Sequence, residues 1–174
     1  MAYETLHSET IYRGRVFNVR RDEIRLPDGK TARIDIVEHV GAVTLAPVDD
    51  QNRVWFVRQY RHAAGEVLLE LPAGMVEAGE APLDCARREI REETGMAAGR
   101  IELIGEFFLA PGYSTEFMHV FLARDLRPDP LPGDADEFIA VEPIPYEVVL
   151  KMIENGKIRD AKTLAALTLA KKYR

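Results

Sequence analysis

The chain has 174 residues, 47% of them hydrophobic and 30% charged, the composition of an ordinary soluble domain large enough to bury a core. Its formal net charge of −6 argues against sequence-independent nucleic-acid binding, which needs a basic face, but leaves room for a phosphorylated small substrate whose charge bound cations offset. A single cysteine, Cys85, excludes an internal disulfide, and the first ten residues hold no apolar run of leader or membrane-span length, so a cytoplasmic location is expected with no membrane partner.

Residues 9–26 are strand-like, with Ile11, Val16, Phe17, Val19, Ile24 and Leu26 as apolar points. Asp28-Gly29 suits a tight two-residue hairpin loop, and residues 31–39 alternate as the returning strand. Residues 41–48 are almost continuously apolar, which predicts a strand buried on both faces. A turn at 49–52 and a strand over 54–61 follow. Residues 68–74, Leu-Leu-Glu-Leu-Pro-Ala-Gly, read as a strand running into a tight turn. A helix is expected from Pro82, which fits a first turn, to Gly95, which fits the left-handed position after the last turn. Strands near 101–108 and 116–123, a loop over 126–136, a short strand over 138–141, a helix from Pro145 to Asn155-Gly156 and a last helix over about 160–172 complete the chain. A boundary is expected near 39–41. It divides an N-terminal β extension, 1–39, from a mixed α/β core, 40–174.

The stretch 74–96 carries the chemistry. Glu89, Glu92 and Glu93 are spaced i, i+3 and i+4, so a helix places all three on one stripe. Like charges so arranged repel unless neutralised, and a hard divalent cation does this with oxygen ligands. Cys85, beside Ala86, reads as a small buried filler rather than a nucleophile. The four histidines, His7, His39, His62 and His119, have no metal-ligand spacing and are read as no ligands.

Gly74, Glu80, Arg88, Glu89, Ile90, Glu92, Glu93, Gly95 and Met96 fill every fixed slot of a 23-residue pattern, and on these residues the chain resembles the Nudix hydrolases. Arg58-Gln59-Tyr60-Arg61 ahead of this stretch, Pro111-Gly112 behind it and the N-terminal hairpin are similar to the ADP-ribose pyrophosphatase subgroup. The resemblance implies an α/β (α+β) Nudix fold: a mixed sheet sandwiched between helices, with an antiparallel β-hairpin extension. It implies hydrolysis of the diphosphate of ADP-ribose to AMP and ribose 5-phosphate with Mg²⁺, or Mn²⁺, as cofactor. Metal would be held by Glu89, Glu92, Glu93 and the Ala73 carbonyl, with Arg88 orienting the glutamates. Arg33 and Arg61 would grip the diphosphate, Phe17 would form an adenine platform, and Pro111 and Gly112 would shape the substrate loop. The general base stays open between Glu137, Asp136, Asp134 and Glu92. A homodimer is expected, with the N-terminal extension completing the neighbour's site. The alternatives are another nucleoside diphosphate sugar, such as GDP-mannose, or a non-catalytic ADP-ribose-binding regulator.

Overall fold

The structure, a computed structural model, describes residues 2–133 and 137–173. The chain divides into two compact units, one formed by 1–41 with 108–117 and the other by 42–107 with 118–174. The segment 108–117 therefore joins the N-terminal strands, a grouping that no local sequence signal marks.

In the first unit, β1 (Glu4–Arg13), β2 (Asn18–Arg25) and β3 (Thr31–Glu38) form an antiparallel sheet in the order β1-β2-β3. The β2–β3 loop has three residues rather than the expected two. The Leu26 amide donates to the Lys30 carbonyl, leaving Pro27-Asp28-Gly29 to turn the chain. Gly29 takes φ 86°, the left-handed residue that such a three-residue loop requires. Proline at 27 explains the change: it sets the φ of the turn's first residue, and the glycine closes it. Segment 108–117 is stitched to the end of β3. The Val37 amide donates to the Tyr113 carbonyl (2.8 Å), the Thr115 amide to the Val37 carbonyl (3.0 Å), and the His39 amide to Thr115 Oγ1 (2.9 Å). This sheet buries little. All ten residues of β1 are exposed, as are Val16, Phe17 and Ile34.

The second unit holds two sheets. One has the order β7-β4-β9-β8, from β4 (Ala42–Pro47), β7 (Ala73–Met75), β8 (Met96–Phe108) and β9 (Phe117–Pro128). It is mixed: β4 pairs parallel with β9 and antiparallel with β7. The other has the order β10-β5-β6, from β5 (Arg53–Arg61), β6 (Glu66–Glu70) and β10 (Ile139–Pro145). Among the described residues three α-helices complete it: α1 (Pro82–Thr94), α2 (Tyr146–Glu154) and α3 (Ala161–Ala170).

Strand alternation explains the layers. On β4 and β9, Val43, Leu45, Phe121 and Ala123 face one way and pack on Cys85, Ala86 and Ile90 of α1. Their neighbours Ala46, Val120 and Leu122 face the other way and pack with Ala166, Leu167 and Ala170 of α3. Every residue of β4 is buried, as its apolar run predicts. The helix ends also follow the sequence. Pro82 opens α1, Gly95 (φ 72°) closes it, and its amide donates to the Arg91 carbonyl. Two strands run longer than expected: β8 begins directly after the Gly95 turn, and β9 continues to Pro128. Among the described residues no helix is long and apolar enough to cross a membrane.

Candidate active site

The short path from β6 to β7 meets one face of α1. Gly74 is required there: a Cβ on residue 74 would lie 1.9 Å from Glu89 Oε1, so only glycine lets that carboxylate rest on the backbone. One residue earlier, the Ala73 amide donates to Glu93 Oε2 at 3.0 Å. Glu89 and Glu93 are both buried, at 8% and 7% exposure. Burial raises the Glu89 carboxyl to about 7, with Arg88 opposing and Glu92 and Glu137 adding to the rise. Burial likewise raises Glu93 to about 8; the Ala73 amide and Lys162 oppose the shift, while Glu89 and Glu137 reinforce it. The fold thus brings Glu92, Glu93 and Glu137 within electrostatic reach of Glu89, and Glu137 within reach of Glu93 as well.

Arg88 fixes the edge of this cluster. Its Nε and Nη2 donate to the two oxygens of Glu80 at 3.0 Å each, and its Nη1 to Glu89 Oε1 (2.6 Å) and Glu92 Oε2 (2.9 Å). Nη2 also reaches the Met75 carbonyl at 3.2 Å. A guanidinium has five N–H donors, and these bonds use all five, so Arg88 orients carboxylates and has none left for a substrate. The Glu80 carboxyl is held down to about 2, mainly by the Arg88 bonds. Beneath Arg88, the Cys85 thiol is fully buried and donates to the Met75 carbonyl (3.3 Å); burial pushes it up to about 12, which suits a packing role.

The donor chemistry fits a hard divalent cation. Two buried carboxylates share one helix face, each repelled by the other acids, and a cation there would favour their ionised forms. Glu89 and Glu93 would hold it, with the Ala73 carbonyl beside them. Glu92 Oε2, like Glu89 Oε1, accepts from Arg88 Nη1. Among the described residues no three His, Cys, Asp or Glu side chains already stand grouped around one point as ligands would.

Other expected residues have definite places. Glu137 is exposed and accepts from Gln59 Nε2 at 3.5 Å. Its rivals Asp134 and Asp136 lie outside the described residues. Phe17, Arg33, Pro111 and Gly112 belong to the first unit. There the Phe17 ring is tilted against Tyr12 at 6.2 Å, and Arg33 is exposed on β3 opposite Glu23. Pro111 and Gly112 are the central residues of a turn closed by the Tyr113 amide on the Ala110 carbonyl (3.1 Å).

Arg61 departs from simple expectation. Its Nε and Nη2 donate to Glu70 Oε1 and Oε2, both at 2.8 Å, so one edge of the fork is already occupied. Three N–H donors remain, and the side chain is 40% exposed. Sequence reading missed Glu70, the 1%-exposed partner, together with Lys162, which also donates to it. The one local signal was a glutamate standing alone in the apolar run Leu68-Leu69-Glu70-Leu71, where an unpaired charge is costly.

Comparison with known proteins places this arrangement. Residues 38–167 match the model of the NUDIX domain, and residues 3–33 match that of the nucleoside diphosphate sugar hydrolase N-terminal domain. The chain belongs to the Nudix family. It is 37% identical over 166 residues to an ADP-ribose pyrophosphatase of Bacillus subtilis (strain 168), covering 94% of this chain and 90% of that one. It is 44% identical over 126 residues to an ADP-ribose pyrophosphatase of Mycobacterium tuberculosis (strain ATCC 25618 / H37Rv), covering 72% of this chain and 61% of that protein. A crystal structure of an ADP compounds hydrolase, 24% identical, superposes with a TM-score of 0.90 over 99% of this chain and 94% of that one, which shows the shared fold.

Proposed function

We propose that this enzyme hydrolyses the diphosphate of ADP-ribose, adding one water across a P–O–P link to give AMP and ribose 5-phosphate. The observation that carries the chemistry is the pair of buried, mutually repelling carboxylates, Glu89 and Glu93, seated on Gly74 and Ala73. The substrate class rests on the two ADP-ribose pyrophosphatase relatives and on the N-terminal match. Glu89, Glu92 and Glu93, with the Ala73 carbonyl, would hold Mg²⁺; such an ion would neutralise the diphosphate charge and acidify bound water. Arg88 keeps Glu89 and Glu92 in place. Arg61 presents its unused N–H edge to the phosphoryl oxygens, a geometry that suits the planar fork better than an ammonium. Glu137, which lies within electrostatic reach of Glu89 and Glu93 from outside α1, is one candidate to accept the proton of the attacking water, beside Glu92, Asp134 and Asp136. Arg33 and Phe17 supply substrate contacts to the partner's site across the dimer interface proposed below, and Pro111-Gly112 shapes the substrate loop.

The same reading makes the protein a homodimer. The N-terminal sheet leaves Leu6, Ile11, Tyr12, Val16, Phe17 and Ile34 exposed, and a small sheet needs a surface on which to bury such residues. A two-fold partner supplies it. The lone cysteine fits a reducing, cytoplasmic setting. A panel of ADP-ribose, GDP-mannose, UDP-glucose, NADH and 8-oxo-dGTP with Mg²⁺, with product identification, tests the substrate. ADP-ribose should have the highest kcat/KM, and a clear preference for GDP-mannose or a triphosphate would overturn the subgroup assignment.

A further inference from the structure

The N-terminal turn of α3 lies far along the chain from the Nudix segment, yet its side chains reach the segment that carries Ala73. Asp160 caps α3: its Oδ2 accepts from the Thr163 amide (3.0 Å) and from Thr163 Oγ1 (2.6 Å). Thr163 is fully buried, and its Oγ1 accepts from the Leu71 amide at 2.8 Å. Lys162 donates to Asp160 Oδ2 at 2.9 Å and to Glu70. Glu70 in turn binds Arg61 through both oxygens. Each residue from 70 to 73 is therefore pinned. Glu70 is held by Arg61 and Lys162, the Leu71 amide by Thr163, the Pro72 carbonyl by the Leu45 amide (2.9 Å) and Thr44 Oγ1 (3.1 Å), and the Ala73 amide by Glu93.

The charges close on themselves. Glu70 and Asp160 balance Arg61 and Lys162, so the quartet around the buried Glu70 is neutral. Burial acts to raise the Glu70 carboxyl, but the Arg61 bonds and Lys162 outweigh it and keep Glu70 ionised. Arg61 in turn feels Glu93 and Asp160 as well as Glu70, so its guanidinium lies within electrostatic reach of the carboxylate cluster. A long, flexible arginine bonded along one edge to a rigid carboxylate has lost most of its rotamer freedom before any ligand arrives.

We propose that Glu70, anchored by Lys162 on α3, is a positioning residue that fixes the Arg61 guanidinium for diphosphate recognition. This rests on the reading of Arg61 given under Proposed function. Losing the anchor frees Arg61 and should lower kcat/KM on the order of 10–100-fold, the scale that a misplaced group costs.

The test is a double-mutant cycle. Glu70→Gln and Arg61→Ala are measured singly and together, with whichever nucleoside diphosphate sugar the unmodified chain hydrolyses best. Glu70→Gln should cost little further once Arg61 is gone, because a positioning residue acts through the group it positions. Independent, multiplicative losses would overturn the proposal, as would a Glu70→Gln variant with unchanged kcat/KM. Glu70→Gln leaves a buried ammonium short of a partner, so Glu70→Gln/Lys162→Met restores neutrality. Its melting temperature should recover while kcat/KM stays low; recovery of both would reduce Glu70 to a stability role. Arginine Nε–Hε resonances provide a readout that needs no turnover. The Arg61 signal, identified by its loss in Arg61→Lys, should be protected from exchange in the intact chain and lose that protection in Glu70→Gln/Lys162→Met. Unchanged protection would overturn the proposal, whereas absence of hydrolysis with the expected loss of protection would overturn only the functional reading.

Discussion

The two ends of the segment joining β6 to β7 treat a buried carboxylate in opposite ways. At one end Glu70 meets two cations, and its charge is satisfied within the protein. At the other end Glu93 meets a single amide among other acids, and its carboxyl rises to about 8. Burial is comparable, so the partners decide the outcome. Glu70 finds its countercharge within the fold, whereas Glu93 hydrogen-bonds only an amide among the described residues; under the function proposed above, a cation from outside takes the remaining place.

The sharpest way to break this contrast is to remove each charge in turn while keeping the side chain's shape. Glu70→Gln leaves Arg61 without its anion and Lys162 with Asp160 alone; breaking a fully buried pair costs about 3–5 kcal/mol, and the part-exposed Arg61 makes the loss here smaller. Denaturant titration should show that loss. Glu93→Gln should instead leave stability unchanged or raised near pH 7.5, because it removes a charge that the metal-free fold disfavours. Its kcat should fall on the order of 10²-fold or more, equivalent to about 2.7 kcal/mol of transition-state stabilisation. If both variants lost similar stability and both kept activity, the distinction between the two ends would be wrong.

Changing pH sharpens the contrast without mutation. The Glu89 and Glu93 carboxyls titrate near 7 and 8 in the folded chain, against an ordinary 4.5. Between those values the folded state binds more protons than the unfolded one, so the stability they contribute is full below 4.5 and is lost as pH rises through 7 to 8. Glu70 has the reverse sign, because its carboxyl is held below the ordinary range: its contribution is present above 4.5 and is lost as pH falls below it. Thermal melts of metal-free protein should therefore decline from pH 5 to pH 8. Added Mg²⁺ should raise the melting temperature more at pH 8 than at pH 5, because the ion competes with protons for the same carboxylates. Equal Mg²⁺ stabilisation at both pH values would show that the ion binds elsewhere.

The smallest effect tests the N-terminal sheet. Phe17→Ala should raise KM for ADP-ribose severalfold and leave kcat within about twofold, since a base platform contributes binding that ground and transition states share. Sedimentation of the intact chain should give a dimer, and deletion of residues 1–38 should give a monomer or an aggregate with weak ADP-ribose affinity. A fully active monomer at micromolar concentration would refute the role given to this sheet.

What the sequence could and could not disclose follows from distance along the chain. Glu89 and Glu93 lie one helical turn apart, so their shared face was legible from spacing alone. Pro82 and Gly95 act on their own backbone, and the α1 ends were legible for the same reason. Lys162 and Glu70 are separated by 92 residues, and no periodicity reports such a pair. The fork of Arg61 was legible as a phosphate-type donor, but its prior engagement by Glu70 was hidden in the register of β5 on β6, which sets Arg61 opposite Glu66. Segment 108–117 reads as a loop, and its hydrogen bonds to the end of β3 come from tertiary structure alone.

The lone thiol of Cys85 has a use that depends on where it is buried. It is wholly covered under the carboxylate helix, and burial keeps it protonated up to about 12, so alkylating reagents reach it only when that layer opens. With no second cysteine to compete, the modification rate of the unaltered chain is a clock for that opening. Run with and without a divalent cation, the clock would time how often α1 lifts from β4 and how far a bound ion slows it.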